Sequence, residues 1–74
     1  MTYNYRKLEG RIVEKFGTQR NFAAAVGCWP ETVTRKLTNR VAFTQAEITN
    51  WSEQLGIDTN DIVTYFFTPA GQAN

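Results

Sequence analysis

The sequence has no histidine, one cysteine, two prolines and no cation beyond Arg40. Each shortage removes a class of function. Without histidine the chain lacks the side chain that most often moves protons near neutral pH and most often binds metals. No cluster with metal-ligand spacing, no nucleophile beside a base and no glycine-rich phosphate loop stands in its place. An enzyme is therefore not expected, nor a metal, nor any cofactor. Cys28 has no second cysteine to pair with, which fits a reducing compartment, and it reads as a small apolar filler. No apolar run approaches the roughly 20 residues of a membrane span, and the basic start is followed by no apolar stretch of the signal-peptide kind. The expectation is a soluble, cytoplasmic protein with no membrane partner.

What the chain does have is core-forming material: 42% of its 74 residues are hydrophobic and 14% aromatic. That suffices for one small domain resting on ordinary packing. Its charge is divided along the sequence. All eight cations (Arg6, Lys7, Arg11, Lys15, Arg20, Arg35, Lys36, Arg40) precede Val41, against Glu9, Glu14 and Glu31. From Thr44 onward the only charged residues are Glu47, Glu53, Asp58 and Asp61. The basic half is the part a polyanion would meet.

Periodicity and punctuation predict an all-α chain of five short helices. Tyr5, Leu8, Ile12 and Phe16 recur at helical spacing and Gly17 follows, giving a first helix over 5–16. Lys7, Arg11 and Lys15 form a stripe on another face, read as solvated, with phosphate contact as the alternative. Thr18 is an N-cap for a second helix over 19–26, which Gly27 ends. Pro30 suits the first turn of a third helix running to about Thr38, with Asn39 available for its last turn. Thr44-Gln45-Ala46-Glu47 is a capping box that opens a fourth helix carrying Ile48, Trp51 and Leu55 inward, with Gly56 as its stop. Asp58 or Thr59 caps a fifth helix bearing Ile62, Tyr65 and Phe66. Residues 1–67 read as one domain and 68–74 as a flexible tail.

The stretch from Gln19 to Leu37 carries the functional signal. Two short helices that cross closely need a small residue at the contact, supplied by Ala23. The turn between them needs a residue tolerant of positive φ, supplied by Gly27. The second helix needs an apolar anchoring face, supplied by Val33 and Leu37. This is the pattern of a helix-turn-helix over 18–38. At about 100° per residue, with Glu31 at 0°, Thr34, Arg35 and Thr38 lie within about 60° of it, and Val33 and Leu37 on the opposite side. Glu31, Thr34, Arg35 and Thr38 suit base edges in a major groove: guanine for arginine, thymine for threonine, cytosine for glutamate. An ordinary solvated Glu31–Arg35 pair is the alternative.

The segment Thr18-Gln19-Arg20-Asn21-Phe22-Ala23-Ala24-Ala25-Val26-Gly27, followed by Thr32-Val33-Thr34-Arg35-Lys36-Leu37, resembles the Cro and phage-repressor family of helix-turn-helix proteins. With Phe43-Thr44-Gln45 and the closing Tyr65-Phe66-Phe67-Thr68-Pro69, nearly the whole chain looks like the short regulators of temperate phages of Gram-positive bacteria, Cro-like repressors and modulators of repression among them. The resemblance implies a compact five-helix, lambda-repressor-like domain in the bacterial host's cytoplasm, with residues 30–38 in the major groove of double-stranded DNA. It implies backbone contacts from Gln19, Arg20, Lys36, Asn39 and Arg40 and base contacts from Glu31, Thr34, Arg35 and Thr38. Three positions depart from the pattern. Trp29-Pro30 replaces the usual Ser or Thr cap, Arg40 replaces a frequent glycine, and Lys36 stands at a usually apolar position. Trp29 has three open roles: packing on thymine methyls, half-buried scaffold, or contact with a protein partner.

Two functions are expected to compete. The first is a Cro-like repressor acting as a homodimer on a pseudo-palindromic operator, because so small a monomer makes few contacts. Its interface would be the last helix, where Val63, Tyr65 and Phe67, with Ile62 and Phe66, exceed what a short helix buries. The alternative is a modulator or antirepressor that forms a heteromeric complex with a phage repressor and alters its DNA occupancy. The acidic C-terminal half, Trp29 and the modest basic charge favour that alternative.

Overall fold

The computed structural model describes residues 2–72. Five α-helices follow one another: α1 (Arg6–Phe16), α2 (Gln19–Val26), α3 (Pro30–Leu37), α4 (Gln45–Leu55) and α5 (Ile62–Phe66). One 3₁₀ turn, Thr59–Asp61, leads into α5, and a second, Ala70–Gln72, follows it. No strand occurs among the described residues, only an isolated bridge between Tyr3 and Pro69. No helix among them is long and apolar enough to cross a membrane.

The helices start and stop where side chains satisfy their loose backbone groups. The Thr18 hydroxyl accepts from the Asn21 N–H at 3.1 Å and opens α2. Thr44 and Glu47 cap α4 reciprocally, at 2.8 and 3.1 Å. Asp58 caps the 3₁₀ turn before α5. Gly27 ends α2 in the left-handed region at φ 82°, the positive φ expected of the turn between α2 and α3. Two helix ends depend on distant residues instead. Asn50 on α4 donates to the Val26 carbonyl at the end of α2, 3.2 Å away. Arg11 reaches the end of α4, donating to the carbonyls of Leu55 at 2.9 Å and Gly56 at 3.3 Å. Arg11 is therefore a tertiary capping residue and not part of a solvated stripe.

The core gathers one face of every helix: Tyr5, Leu8 and Ile12, Phe22 and Ala23, Val33 and Leu37, Trp51 and Leu55, and Phe66. Ala23 is fully buried, which lets α2 and α3 approach closely. An edge-to-face series of rings runs through the core from Phe16 to Phe22, Trp51, Phe43 and Phe66, with centroids 4.7–5.3 Å apart. The tail expected from Thr68 begins as bonded chain. The Asn4 N–H donates to the Thr68 carbonyl at 2.7 Å and the Ala70 N–H to the Thr2 carbonyl at 3.2 Å. Residues 73 and 74, the rest of that tail, lie outside the described residues.

Candidate functional site

Helix α3 has two faces because Val33 and Leu37 anchor it. Both are buried, and Glu31, Thr34, Arg35 and Thr38 on the opposite side are exposed. Those four side chains, with Pro30, Arg20 from α2 and Arg40 from the following loop, line an open groove of about 460 Å³. The structure thus brings together all four residues expected at base edges and two of the five expected at phosphates. Among the described residues no carboxylate comes within 4.0 Å of the Arg20, Arg35 or Arg40 guanidinium. The Glu31–Arg35 pair is therefore not formed, and the groove carries three positive charges against one negative.

The threonines are held by their own helix. The Thr38 hydroxyl donates to the Thr34 carbonyl at 2.8 Å, and the Thr34 hydroxyl donates toward the Pro30 carbonyl at 3.3 Å. Gln19 is half-buried, with its Oε1 3.5 Å from the Thr34 hydroxyl, so it leans on α3 across the turn.

Two expected phosphate contacts are corrected. Lys36 is 4% exposed: its ammonium lies 2.8 Å from Glu47 Oε1, donates to the Ala42 carbonyl at 3.1 Å and sits over the Phe43 ring. Its charge is consumed inside the fold because α4 places Glu47 against it. Asn39 is the other. Its backbone is left-handed at φ 65°, and its amide is used in both directions, accepting from the Tyr3 N–H and donating to the Tyr3 carbonyl, each at 2.9 Å. The glycine-like position of this loop is thus Asn39, and Arg40 beside it is free to turn into the groove.

Trp29 resolves one of its three roles. It caps α3 through its backbone carbonyl alone, with no side-chain bond, and its residue is 76% exposed. The half-buried scaffold role is excluded. Cys28 next to it packs against the core. Burial, aided by the Glu47 charge and opposed by Lys36, pushes its thiol above the ordinary value and keeps it protonated at neutral pH.

Helix α5 and Phe67, which caps its C-terminal end, divide into buried and exposed positions. Phe66 is buried and Ile62 half-buried, while Val63 and Phe67 remain 68% and 41% exposed. Tyr65 is not open surface: it packs on the core with the Lys7 ammonium 5.2 Å from its ring centre. Sequence reasoning missed two neighbours of Phe67. Tyr3 meets its ring edge-on at 5.7 Å, and Val41, 45% exposed, lines the same small cleft. They join it through the Asn39–Tyr3 clamp, a tertiary contact with no local sequence signal.

No curated protein matches the chain. Among solved structures, the solution structure of the modulator of repression (MOR) of the temperate bacteriophage TP901-1 from Lactococcus lactis is similar. The two are 43% identical, the match covers 90% of each chain, and the TM-score is 0.79. A family model matches residues 1–69. With all five helices inside that match, the chain belongs to the family described as "Protein of unknown function (DUF739)".

Proposed function

We propose that this chain is a modulator of repression, a small phage regulator that binds a phage repressor protein and alters its occupancy of operator DNA in the choice between lysis and lysogeny. The observation that carries the reading is the match to the phage TP901-1 modulator, close in sequence and fold over nearly all of both chains. It supports the modulator over a Cro-like repressor. On this reading the chain is a binding module and not an enzyme, working in the host cytoplasm through surface contacts.

A second reading, sequence-specific DNA binding by a Cro-like dimer, draws on one observation: Glu31, Thr34, Arg35 and Thr38 share a groove with Arg20 and Arg40. Fluorescence anisotropy separates the two. Labelled operator DNA is loaded with the repressor of the same phage, and the chain is titrated in. A modulator changes repressor occupancy and co-elutes with the repressor on size exclusion, while shifting the duplex little by itself. A Cro-like repressor binds the duplex alone. Its Arg35→Ala variant then loses about 1–3 kcal/mol of specific binding. Unaltered repressor occupancy together with no co-elution rejects the modulator reading.

A further inference from the structure

We infer that the groove side of α3, with Trp29 as its anchor, is a protein-docking face whose occupant is a segment of the partner repressor that presents a carboxylate beside an apolar pocket. This inference rests on the modulator reading and names the surface and the chemistry it selects.

The charges argue for a carboxylate. Arg20, Arg35 and Arg40 converge on one groove, and among the described residues none has a carboxylate within 4.0 Å. Glu31 lines the same groove and still leaves them unpaired. A guanidinium presents a planar fork of N–H donors that fits a carboxylate or a phosphate two bonds at a time. The chemistry outside the arginines chooses between these. Nucleic-acid faces carry a row of phosphate-binding groups, and here that row is broken. Lys36 is spent on Glu47, Asn39 on Tyr3, and Gln19 is half-buried against Thr34.

Trp29 points the same way. It precedes Pro30, which lines the groove, in the sequence, and its 76% exposure leaves a large apolar ring in water. Trp and Arg are the residues most enriched where protein interfaces concentrate their binding energy, the ring filling a pocket in the partner. An exposed indole one residue before groove-lining Pro30, together with three unpaired guanidiniums in that groove, is therefore complementary to an acidic, pocketed protein surface. The groove, at about 460 Å³, has room for a few side chains from one turn or loop.

The test is calorimetric titration of the chain with the repressor of the same phage, using wild type, Trp29→Ala, Arg35→Glu and, as a control away from the groove, Val13→Ser. All three altered residues are exposed, so thermal unfolding checks that each variant stays folded. Trp29→Ala and Arg35→Glu are each expected to weaken the complex about tenfold or more, and Val13→Ser to leave it unchanged. In the wild type, binding is expected to shift tryptophan emission to the blue and reduce acrylamide quenching. Trp29→Phe should show neither change, because the remaining Trp51 is already buried. Folded Trp29→Ala and Arg35→Glu variants that bind within about twofold of wild type overturn the inference while the modulator reading stands. No complex with the wild-type chain overturns that reading and the inference together. A blue shift produced by an unrelated DNA duplex, at affinity matching the repressor's, assigns the face to nucleic acid and overturns the inference alone.

Discussion

A lysine with 4% of its surface in water needs partners inside the fold to offset its burial, and Lys36 has three: Glu47, the Ala42 carbonyl and the Phe43 ring. The pair is asymmetric, because the Glu47 side chain is still 33% exposed while that of Lys36 is 5% exposed. Removing the glutamate strands a buried ammonium, whereas removing the lysine leaves a carboxylate that water still reaches. Lys36→Ala is therefore expected to cost about 2 kcal/mol in urea unfolding, below the 3–5 typical of breaking a fully buried pair. Lys36→Met keeps the stem packed on Phe43 and costs less. The pair also sets a pH dependence. Burial pushes the Glu47 carboxyl up, but hydrogen bonds from Lys36 and the Thr44 N–H, with the Lys36 charge, outweigh it and hold the group below its ordinary 4.5. A depressed carboxylate stabilises the fold above its unfolded pKa, and that contribution is lost as pH falls through the folded value. Wild-type stability is expected to fall on acidification below about pH 4.5, more steeply than that of Glu47→Gln. The two Tm-against-pH curves should converge at low pH; parallel curves would show that Glu47 contributes nothing there.

At the scale of helices and turns, legibility in the sequence followed locality. Helix α2 runs over the expected residues because Thr18 and Gly27 act within a few positions of themselves, and the α4 capping box is equally local. The exposed row on α3 was legible for the same reason: Val33 and Leu37 fix the rotation of the helix, so Glu31, Thr34, Arg35 and Thr38 must face outward. What could not be read depends on residues distant in sequence. Lys36 reads as a surface cation until α4 brings Glu47 to it, and Arg11 as part of a solvated stripe until α4 ends beside it. Asn39 is the sharpest case, since its partner Tyr3 lies 36 positions away. It is doubly suited to its place, because asparagine enters the left-handed region more readily than other non-glycine residues and its amide satisfies both backbone groups of Tyr3. Asn39→Ala loses both advantages and is expected to cost about 2 kcal/mol. Asn39→Gly keeps the φ freedom, loses the clamp, and is expected to cost about 1 kcal/mol. Hydrogen exchange should show the Tyr3 and Asn4 amides losing protection in both variants. Protection equal to wild type would mean that the bridge to Thr68 holds the N-terminal segment unaided.

For the whole molecule, the question is what joins five short helices that are too short to be stable alone. Phe43 does much of this from a loop. Its ring meets Tyr5 at 5.4 Å, Trp51 at 4.8 Å and Phe66 at 5.2 Å, all edge-on, and the Lys36 ammonium lies 5.6 Å from its centre. One side chain therefore touches the entry to α1 and the bodies of α3, α4 and α5. A 74-residue chain has roughly 4–11 kcal/mol of stability in total, at about 0.05–0.15 per residue. Truncating a packed phenylalanine to alanine costs about 3–5 kcal/mol, and the lower end applies because Phe43 is only half-buried. Phe43→Ala is thus expected to lose about 3 kcal/mol, lower Tm by on the order of 10–20 °C and leave little stability at 37 °C. Phe43→Leu retains most of the volume and is expected to lose about 1–1.5 kcal/mol. Because the ring bridges elements rather than sitting inside one, the loss should be global. Trp51 fluorescence and far-UV circular dichroism should move together through one transition at the lower Tm. Separate transitions would show that the helices before and after Phe43 are independent units, with Phe43 packing on only one of them.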